Sequence, residues 1–198
     1  MAVKIGCDNL VYAEVTETEA GETWGTPEPA PGVITININP NSSSETLFSD
    51  DGPGDSASAL GAIEVEIQKN QLTTKQKADF LGHAIDTNGA LVYGANDVPP
   101  WIAIGFRTLK SNGKYRYVWL YKGKFMEPSD ENETKGDTIN FNTDTIMGRF
   151  VKTEKKYIIG GKDKQPWKYE IDEDDENANP ATILDWFTKV QEPAVAGA

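Results

Sequence analysis

The stretch that decides the fold is WIAIGFRTLKSNGKYRYVWLYKGKF, residues 101–125, where aromatic and β-branched residues are densest. Ile102, Ile104 and Phe106 alternate with small or polar residues, and an aromatic residue occupies every second position from 115 to 121. A period of two indicates β-strands. Asn112-Gly113 lies between the two arms and favours a type I′ turn. The stretch therefore predicts a β-hairpin. Its second arm has large side chains on both faces, so it is either covered on each side or part of an interface with another chain.

Two further segments predict amphipathic strands. Isoleucine alternates with threonine or asparagine along residues 33–39, and branched residues alternate with Glu64 and Glu66 along residues 62–68. In the second segment the two glutamates lie on the face opposite the isoleucines and the valine, because side chains of a strand alternate between its faces. Short apolar segments of this kind, separated by clusters of glycine and proline, predict a fold dominated by β-structure.

Two helices are predicted. The longer one begins at Thr73 or Thr74, shows apolar residues at helical spacing and ends at Asn88-Gly89. His83 lies on it, beside the apolar stripe, and is expected to be a partly buried histidine rather than a catalytic one. The second helix is short and begins at Asn179-Pro180, with asparagine as the cap and proline in the first helical position.

Residues 40–61 read PNSSSETLFSDDGPGDSASALG and predict a loop. Connections of this length without secondary structure are uncommon in compact domains and are usually functional or mobile. Two interpretations follow. Either the segment is an assembly loop that a neighbouring subunit orders, or it is a mobile surface loop whose Leu47 and Phe48 fold back on the body.

Composition excludes several classes of function. The chain has 198 residues, enough for a single domain spanning 1–198. Cys7 and His83 are the only cysteine and the only histidine, so a disulfide framework, a thiolate metal cluster and a two-histidine metal centre are excluded. The net charge of −12 disfavours binding of nucleic acid by phosphate neutralisation. No apolar run reaches the length of a membrane-spanning helix, and the first residues do not indicate a signal peptide.

Charged segments offer candidate contacts rather than chemistry. Basic residues interleave with tyrosines in the hairpin, and in so acidic a chain they are expected to meet acidic partners, including other copies of the chain. Residues 170–176, EIDEDDE, lack the glycine and the spacing of a calcium loop and predict a solvated acidic loop. Residues 153–169 are rich in lysine, contain Gly160-Gly161 and predict a further hairpin.

The sequence contains no phosphate-binding loop, but its 31 acidic residues do not exclude the two-carboxylate site of a glycosidase. We expect no catalysis and no cofactor.

Several motifs, taken in order, resemble the major tail protein of long-tailed, non-contractile bacteriophages of Gram-positive hosts. The resemblance covers nearly the whole chain and rests on order and spacing rather than on one diagnostic motif. The motifs are DDGP at 50–53, LGH at 81–83, DVPP at 97–100, GFR at 105–107, SNGKYRY at 111–117, ETKGD at 133–137, NPAT at 179–182 and WF at 186–187.

The resemblance implies a β-sandwich of the tail-tube type, with two packed sheets, a flanking α-helix and a short C-terminal helix. In this family the inner sheets of a hexameric ring complete one β-barrel, and rings stack into a tube in the virion tail after assembly in the host bacterial cytoplasm. Implied partners are the chain itself, tape-measure and tail-terminator or tail-tip proteins, and DNA in transient, non-specific passage, with no insertion into a membrane. The lysine-rich residues 152–168 do not map onto a shared pattern.

Three groups of residues become candidate sites on this interpretation. Glu64 and Glu66 are expected to line the lumen, residues of the 40–61 loop to contact a neighbouring subunit, and basic residues of the hairpin to form an interface. The loop candidates are Leu47, Phe48, Asp50 and Asp51, and the hairpin candidates are Arg116, Lys122 and Lys124. The alternative from another class is a monomeric β-sandwich module that binds carbohydrate or protein.

Overall fold

The computed structural model describes residues 2–19, 21–49, 52–130 and 142–194. The chain is mainly β, as predicted, with thirteen strands and two helices in these ranges. In chain order the elements are β1 (Lys4–Thr18), β2 (Gly21–Trp24), β3 (Glu28–Pro29), β4 (Val33–Ser49), β5 (Gly52–Lys69), α1 (Thr74–Leu81), β6 (Ala84–Ile85), β7 (Leu91–Val92), β8 (Trp101–Lys110), β9 (Tyr115–Phe125), β10 (Asp144–Val151), β11 (Tyr157–Ile159), β12 (Lys162–Lys164), β13 (Lys168–Asp172) and α2 (Pro180–Leu184).

The hairpin of residues 101–125 is confirmed as β8 and β9, but its turn differs from the predicted type I′. The Gly113 N–H donates to the Lys110 carbonyl at 2.9 Å, and the Lys110 N–H donates to the Lys114 carbonyl at 2.8 Å. Gly113 has a φ of 77°, whereas Asn112 does not have a positive φ. A type I′ turn needs positive φ at both central residues, so this is the three-residue connection in which glycine forms a bulge.

Nine strands form one antiparallel sheet, in the order β2-β1-β8-β9-β10-β5-β4, with β13 on β9 and β3 on β1. Strand β9 pairs with β13 through its first half and with β10 through its second half, so the sheet branches there. In the described residues the large strands therefore belong to one continuous sheet rather than to the two packed sheets predicted. Pairing does not close a barrel within this part of the chain.

The central strands are buried on both faces by the chain itself. One face of β8 and β9 packs with α1 and the apolar face of β5, in a core that includes Ile104, Leu120 and Phe80. The opposite face carries Trp119 and Tyr121, and the C-terminal segment covers it with Trp186. Of the two interpretations of the crowded second arm, the strand covered on each side is the one observed.

Helix α1 ends earlier than the sequence predicted. Thr73 and Gln76 form a capping box at its start, while Gly82 ends it in the left-handed conformation with a φ of 78°. A Cβ at position 82 would lie 2.4 Å from the Val98 carbonyl oxygen, so the close approach also requires glycine. The chain beyond it forms the small hairpin of β6 and β7 instead of more helix.

The predicted loop at 40–61 is a two-stranded ribbon. Strands β4 and β5 have 17 and 18 residues and pair continuously from Val33↔Lys69 to Ser49↔Gly52, with three register shifts. The prediction relied on serine, glycine and proline content, but cross-strand pairing satisfies the backbone of a hairpin without large side chains. Leu47 and Phe48 belong to β4 near the ribbon tip, and Asp50 and Asp51 lie outside the described residues.

The C-terminal third follows the sequence prediction in outline. Residues 157–164 form a hairpin whose turn is Gly160-Gly161, both with positive φ. Asn179 caps α2 by accepting a hydrogen bond from the Ala181 N–H at 3.0 Å, and Pro180 is the first helical residue.

Candidate functional site

The candidate site is the polar face of β4, β5 and β10. On β5, Ile63, Val65 and Ile67 are at most 1 % exposed, whereas Glu64 and Glu66 lie on the other face and are partly exposed. The predicted amphipathic pattern of β5 is therefore confirmed. The core excludes the carboxylates because a buried charge without a partner is costly.

Cross-strand register assembles this face into rows. Glu66 lies between Asn37 of β4 and Met147 of β10, and the Asn37 amide donates to its carboxylate at 3.1 Å. The row that contains Glu64 runs across four strands, through Asn39, Glu64, Arg149 and Lys124. Sequence analysis did not assign Asn37, Asn39 or Arg149 to a site. Their alternation was visible in the sequence, but the register that places them beside the glutamates was not.

The charge of the face is mixed rather than uniformly acidic. An Arg149 guanidinium nitrogen lies 4.0 Å from the Glu64 carboxylate, and Lys124 is the cross-strand neighbour of Arg149. Both members of the Glu64 pair are well exposed, so the pair contributes little to stability. The result is a polar surface that carries charges of both signs, with two cations, Arg149 and Lys124, next to each other.

Strand β4 ends the sheet, and no strand of the described ranges pairs with its outer edge. Natural proteins usually keep edge strands short or cover them, because unpaired backbone groups act as a template for another chain. A free edge of 17 residues is long by this standard. Ile34 on this strand is 45 % exposed, which adds an apolar contact to the edge.

The edge strand faces β1 across an open seam. The Cys7 thiol lies 3.8 Å from the Ile34 carbonyl oxygen, and burial raises the pKa of this thiol. Above Cys7 the two strands border a cleft of about 450 Å³, with Phe106 and Trp167 among its lining residues. The sheet thus curves until its ends approach, but side chains rather than backbone pairing bridge them.

Two of the three basic hairpin candidates have acidic partners inside the chain, whereas Lys124 has no carboxylate of the described residues within 4.0 Å; contact with a neighbouring subunit stays a prediction for all three. Arg116 makes two hydrogen bonds to Asp172, at 2.7 and 2.6 Å. Lys122 is 3 % exposed and its ammonium lies 2.5 Å from Glu17 and 3.1 Å from Glu22. Lys124 lies on the polar face, with its ammonium 4.7 Å from the centre of the Trp101 ring.

The acidic run at residues 170–176 supplies some of the carboxylates that pair with the basic residues of the hairpin. It begins in β13, and its carboxylates bind the hairpin cations instead of being only solvated. Arg116 lowers the pKa of Asp172 to about 2. Lys110 pairs with Asp172 at 3.2 Å and also with Asp174, and Lys114 pairs with Glu173 at 2.9 Å. In the described part of the chain no group of three or more His, Cys, Asp or Glu side chains is arranged to hold a metal ion.

His83 is buried, as expected, but it lies just after α1 and has two acidic neighbours. Its Nδ1 is 2.6 Å from Asp97 and its Nε2 is 2.6 Å from Glu127. The Asp97 hydrogen bond raises the pKa of His83 above its ordinary value of 6.5. The Tyr93 ring packs on the imidazole with 4.5 Å between centroids. This arrangement joins three segments of chain: Nδ1 is hydrogen-bonded to Asp97, whereas Nε2 lies close to the Glu127 carboxylate without making a hydrogen bond among the described residues.

The fold and the polar face define a mainly β protein with one large antiparallel sheet and a free edge. No family model matches the sequence, and no curated protein matches it significantly. No helix among the described residues is long and apolar enough to cross a membrane.

Proposed function

We propose that the chain is a structural protein that assembles into rings through the free edge of β4, and that stacked rings form a phage tail tube. The observation that carries the proposal is the 17-residue edge strand, which bears a polar face and has no strand paired with its outer side among the described residues. Pairing this edge with the next copy would satisfy the exposed backbone and remove an aggregation hazard. Closing the ring would satisfy the exposed backbone and remove the aggregation hazard together, because a closed sheet has no edge.

The polar face suits the inner wall of such a ring. The wall of a channel that conducts DNA must be hydrated, and it must not bind the phosphate groups of the DNA. A face of mixed charge, on which Glu64 lies beside Arg149, holds phosphate less strongly than a cationic track does. The hexameric ring, the tape-measure, tail-terminator and tail-tip partners and the location in a virion tail follow from the family resemblance and belong to the same proposal.

The β4–β5 ribbon extends the edge. Its distal part, residues 42–60, pairs only with itself in the described residues. A two-stranded ribbon is at most marginally stable alone in water, so a neighbouring copy would stabilise it. We infer that the ribbon reaches the next subunit, the role first assigned to a loop.

The first prediction concerns the ribbon. Replacing residues 43–59 by Asn-Gly joins the paired residues Ser42 and Leu60 through a two-residue hairpin turn. We expect a folded chain, because the core residues of β4 and β5 lie outside the deleted part. We also expect the variant to form no rings or tubes in negative-stain electron microscopy at concentrations where the wild type does.

A matched truncation controls for the loss of a hairpin as such. Replacing residues 86–90 by Asn-Gly shortens the β6–β7 hairpin between the paired Ile85 and Leu91. This variant should still form rings, and circular dichroism should report native β-structure for both variants. Normal tubes from the ribbon variant would contradict the proposal. A wild type that stays monomeric at all concentrations would favour the alternative, a monomeric binding module.

The second prediction concerns the lumen. In a Cys7→Ser background, a cysteine placed at Glu66 should react with a small maleimide in both monomer and tube. A maleimide on a large polyethylene glycol should label the monomer but not the interior of the tube. Lys189, exposed and outside the β11–β12 hairpin, is the control position and should react with both reagents in both states. Labelling of position 66 in tubes by the large reagent would place Glu66 outside the lumen.

A further inference from the structure

The hairpin of β11 and β12 has a charge opposite to that of the rest of the chain. Residues 152–164 contain five lysines and two acidic residues, in a chain whose net charge is −12. Lys156, Lys162 and Lys164 are exposed. Lys156 lies 3.9 Å from Asp163, and no carboxylate of the described residues is within 4.0 Å of Lys162 or Lys164. These lysines thus differ from Arg116 and Lys122, whose charges are balanced within the chain.

The base of the hairpin is firmly attached to the body. Glu22 is 2 % exposed and accepts hydrogen bonds from the N–H groups of Glu154 and Lys155, at 2.7 and 2.9 Å. The Tyr157 hydroxyl donates to Glu192 at 2.6 Å. The orientation of the hairpin is thereby fixed before it meets a partner, which lowers the entropic cost of binding.

The tip of the hairpin adds apolar surface to the positive charge. Ile158 is 63 % exposed and Ile159 is 40 % exposed, on either side of the hairpin plane. The turn that follows is formed by Gly160 and Gly161, and a Cβ at either position would meet no atom within 4 Å. An exposed apolar tip rimmed by lysines is the composition expected of a protein-binding surface.

We propose that the β11–β12 hairpin docks on the acidic surface of a second copy of the chain. The adjacent exposed residues Asp175 and Glu176 supply complementary charge, since no lysine or arginine of the described residues pairs with them. A second copy is the acidic protein present at the highest concentration wherever the chain accumulates. Attraction between opposite patches also overcomes the repulsion between two chains of like net charge.

The features of a nucleic-acid surface are weak at this site. The hairpin contains no arginine, its Tyr157 is 5 % exposed, and the rest of the surface repels phosphate. The proposed contact is also separate from the β4 edge, so it does not depend on the tube.

The test compares two variants that each lower the net charge by two. Lys162→Gln/Lys164→Gln removes the unpaired hairpin charges, and Lys189→Glu makes the same change on an exposed residue outside the hairpin. Sedimentation equilibrium should give an apparent Kd for self-association that rises about tenfold for the hairpin variant and less than about twofold for Lys189→Glu. Raising the salt concentration from about 0.05 M to about 0.5 M should weaken wild-type association and leave the hairpin variant almost unaffected.

Equal effects of the two variants, or no effect of the hairpin variant, would overturn the inference. So would association of the hairpin with duplex DNA or anionic phospholipid vesicles that depends on Lys162 and Lys164 while self-association is unchanged. The two proposals can fail independently. Chains that associate through these lysines but never form rings would support this contact and contradict the tube. Rings that form equally well without the lysines would support the tube and contradict this contact.

Discussion

Replacing Trp119 by alanine is expected to lower the free energy of unfolding by about 4 kcal/mol, the largest effect of any change considered. Trp119 is fully buried at the centre of β9, and its indole N–H donates to the Trp186 carbonyl at 3.1 Å. Gly105 on the neighbouring strand leaves room for the ring, because a Cβ there would lie 2.7 Å from it. Truncation therefore creates a cavity that the facing strand cannot fill.

The same change should loosen the C-terminal layer. The Trp186 ring packs against Tyr117 and Tyr169, with centroids 5.8 and 5.6 Å away. Urea unfolding gives the stability, and near-ultraviolet circular dichroism reports the aromatic packing. The control is Leu184→Ala, at a residue 82 % exposed on α2, which should change stability by less than about 0.5 kcal/mol. A loss below about 1 kcal/mol for Trp119→Ala would show that the two layers do not depend on this side chain.

Replacing Lys122 by methionine is expected to cost about 3 kcal/mol, because it leaves a buried carboxylate without its cation. Glu22 is 2 % exposed and lies 3.1 Å from the Lys122 ammonium. Burial alone would raise the pKa of Glu22, but the N–H groups of Glu154 and Lys155 together with Lys122 hold it below its ordinary value. Methionine keeps most of the stem packed, so the effect measures the charge rather than the volume.

The control for this change is Lys124→Met, two residues along the same strand. Lys124 is half-buried, and no carboxylate of the described residues lies within 4.0 Å of it, so we expect its replacement to lower the free energy of unfolding by less than about 1 kcal/mol.

The pH dependence of the Lys122→Met effect follows from the lowered pKa of Glu22. That group stabilises the fold above its unfolded pKa of about 4.5, and the contribution is lost as the pH falls through the folded value. The difference between Lys122→Met and the wild type should therefore shrink in acid. A difference independent of pH would indicate lost packing instead.

The central hairpin, the amphipathic alternation of β5 and the caps of both helices were predictable from sequence. Each depends on local chemistry. Period-two patterns define strand faces, Thr73 and Asn179 satisfy free N–H groups at helix starts, and Asn112-Gly113 requires a turn at that point. The type of turn was not predictable, since two-residue and three-residue connections use the same residues and differ only in strand register.

The ribbon was missed because its evidence is not local. Serine, alanine and glycine have little intrinsic strand preference, and the partner of each residue across the ribbon is up to about 36 positions away, as for Val33 and Lys69. Helix α1 was predicted too long for a related reason. The apolar spacing continues past Gly82, but the Val98 carbonyl requires a glycine there, and Val98 comes from a distant part of the chain.

The sequence by itself determined which residues are apolar, which alternate and where turns must occur, because these properties belong to single residues and their near neighbours. The tertiary structure decided which charges remain free. Arg116 and Lys122 were predicted to meet other copies of the chain, yet carboxylates 56 and 105 residues away in the same chain lie within hydrogen-bond distance of them. Lys162 and Lys164 of the β11–β12 hairpin were not singled out in the sequence, yet no carboxylate of the described residues pairs with them. Charge compensation depends on distances in space, and those are fixed only when the sheet has folded.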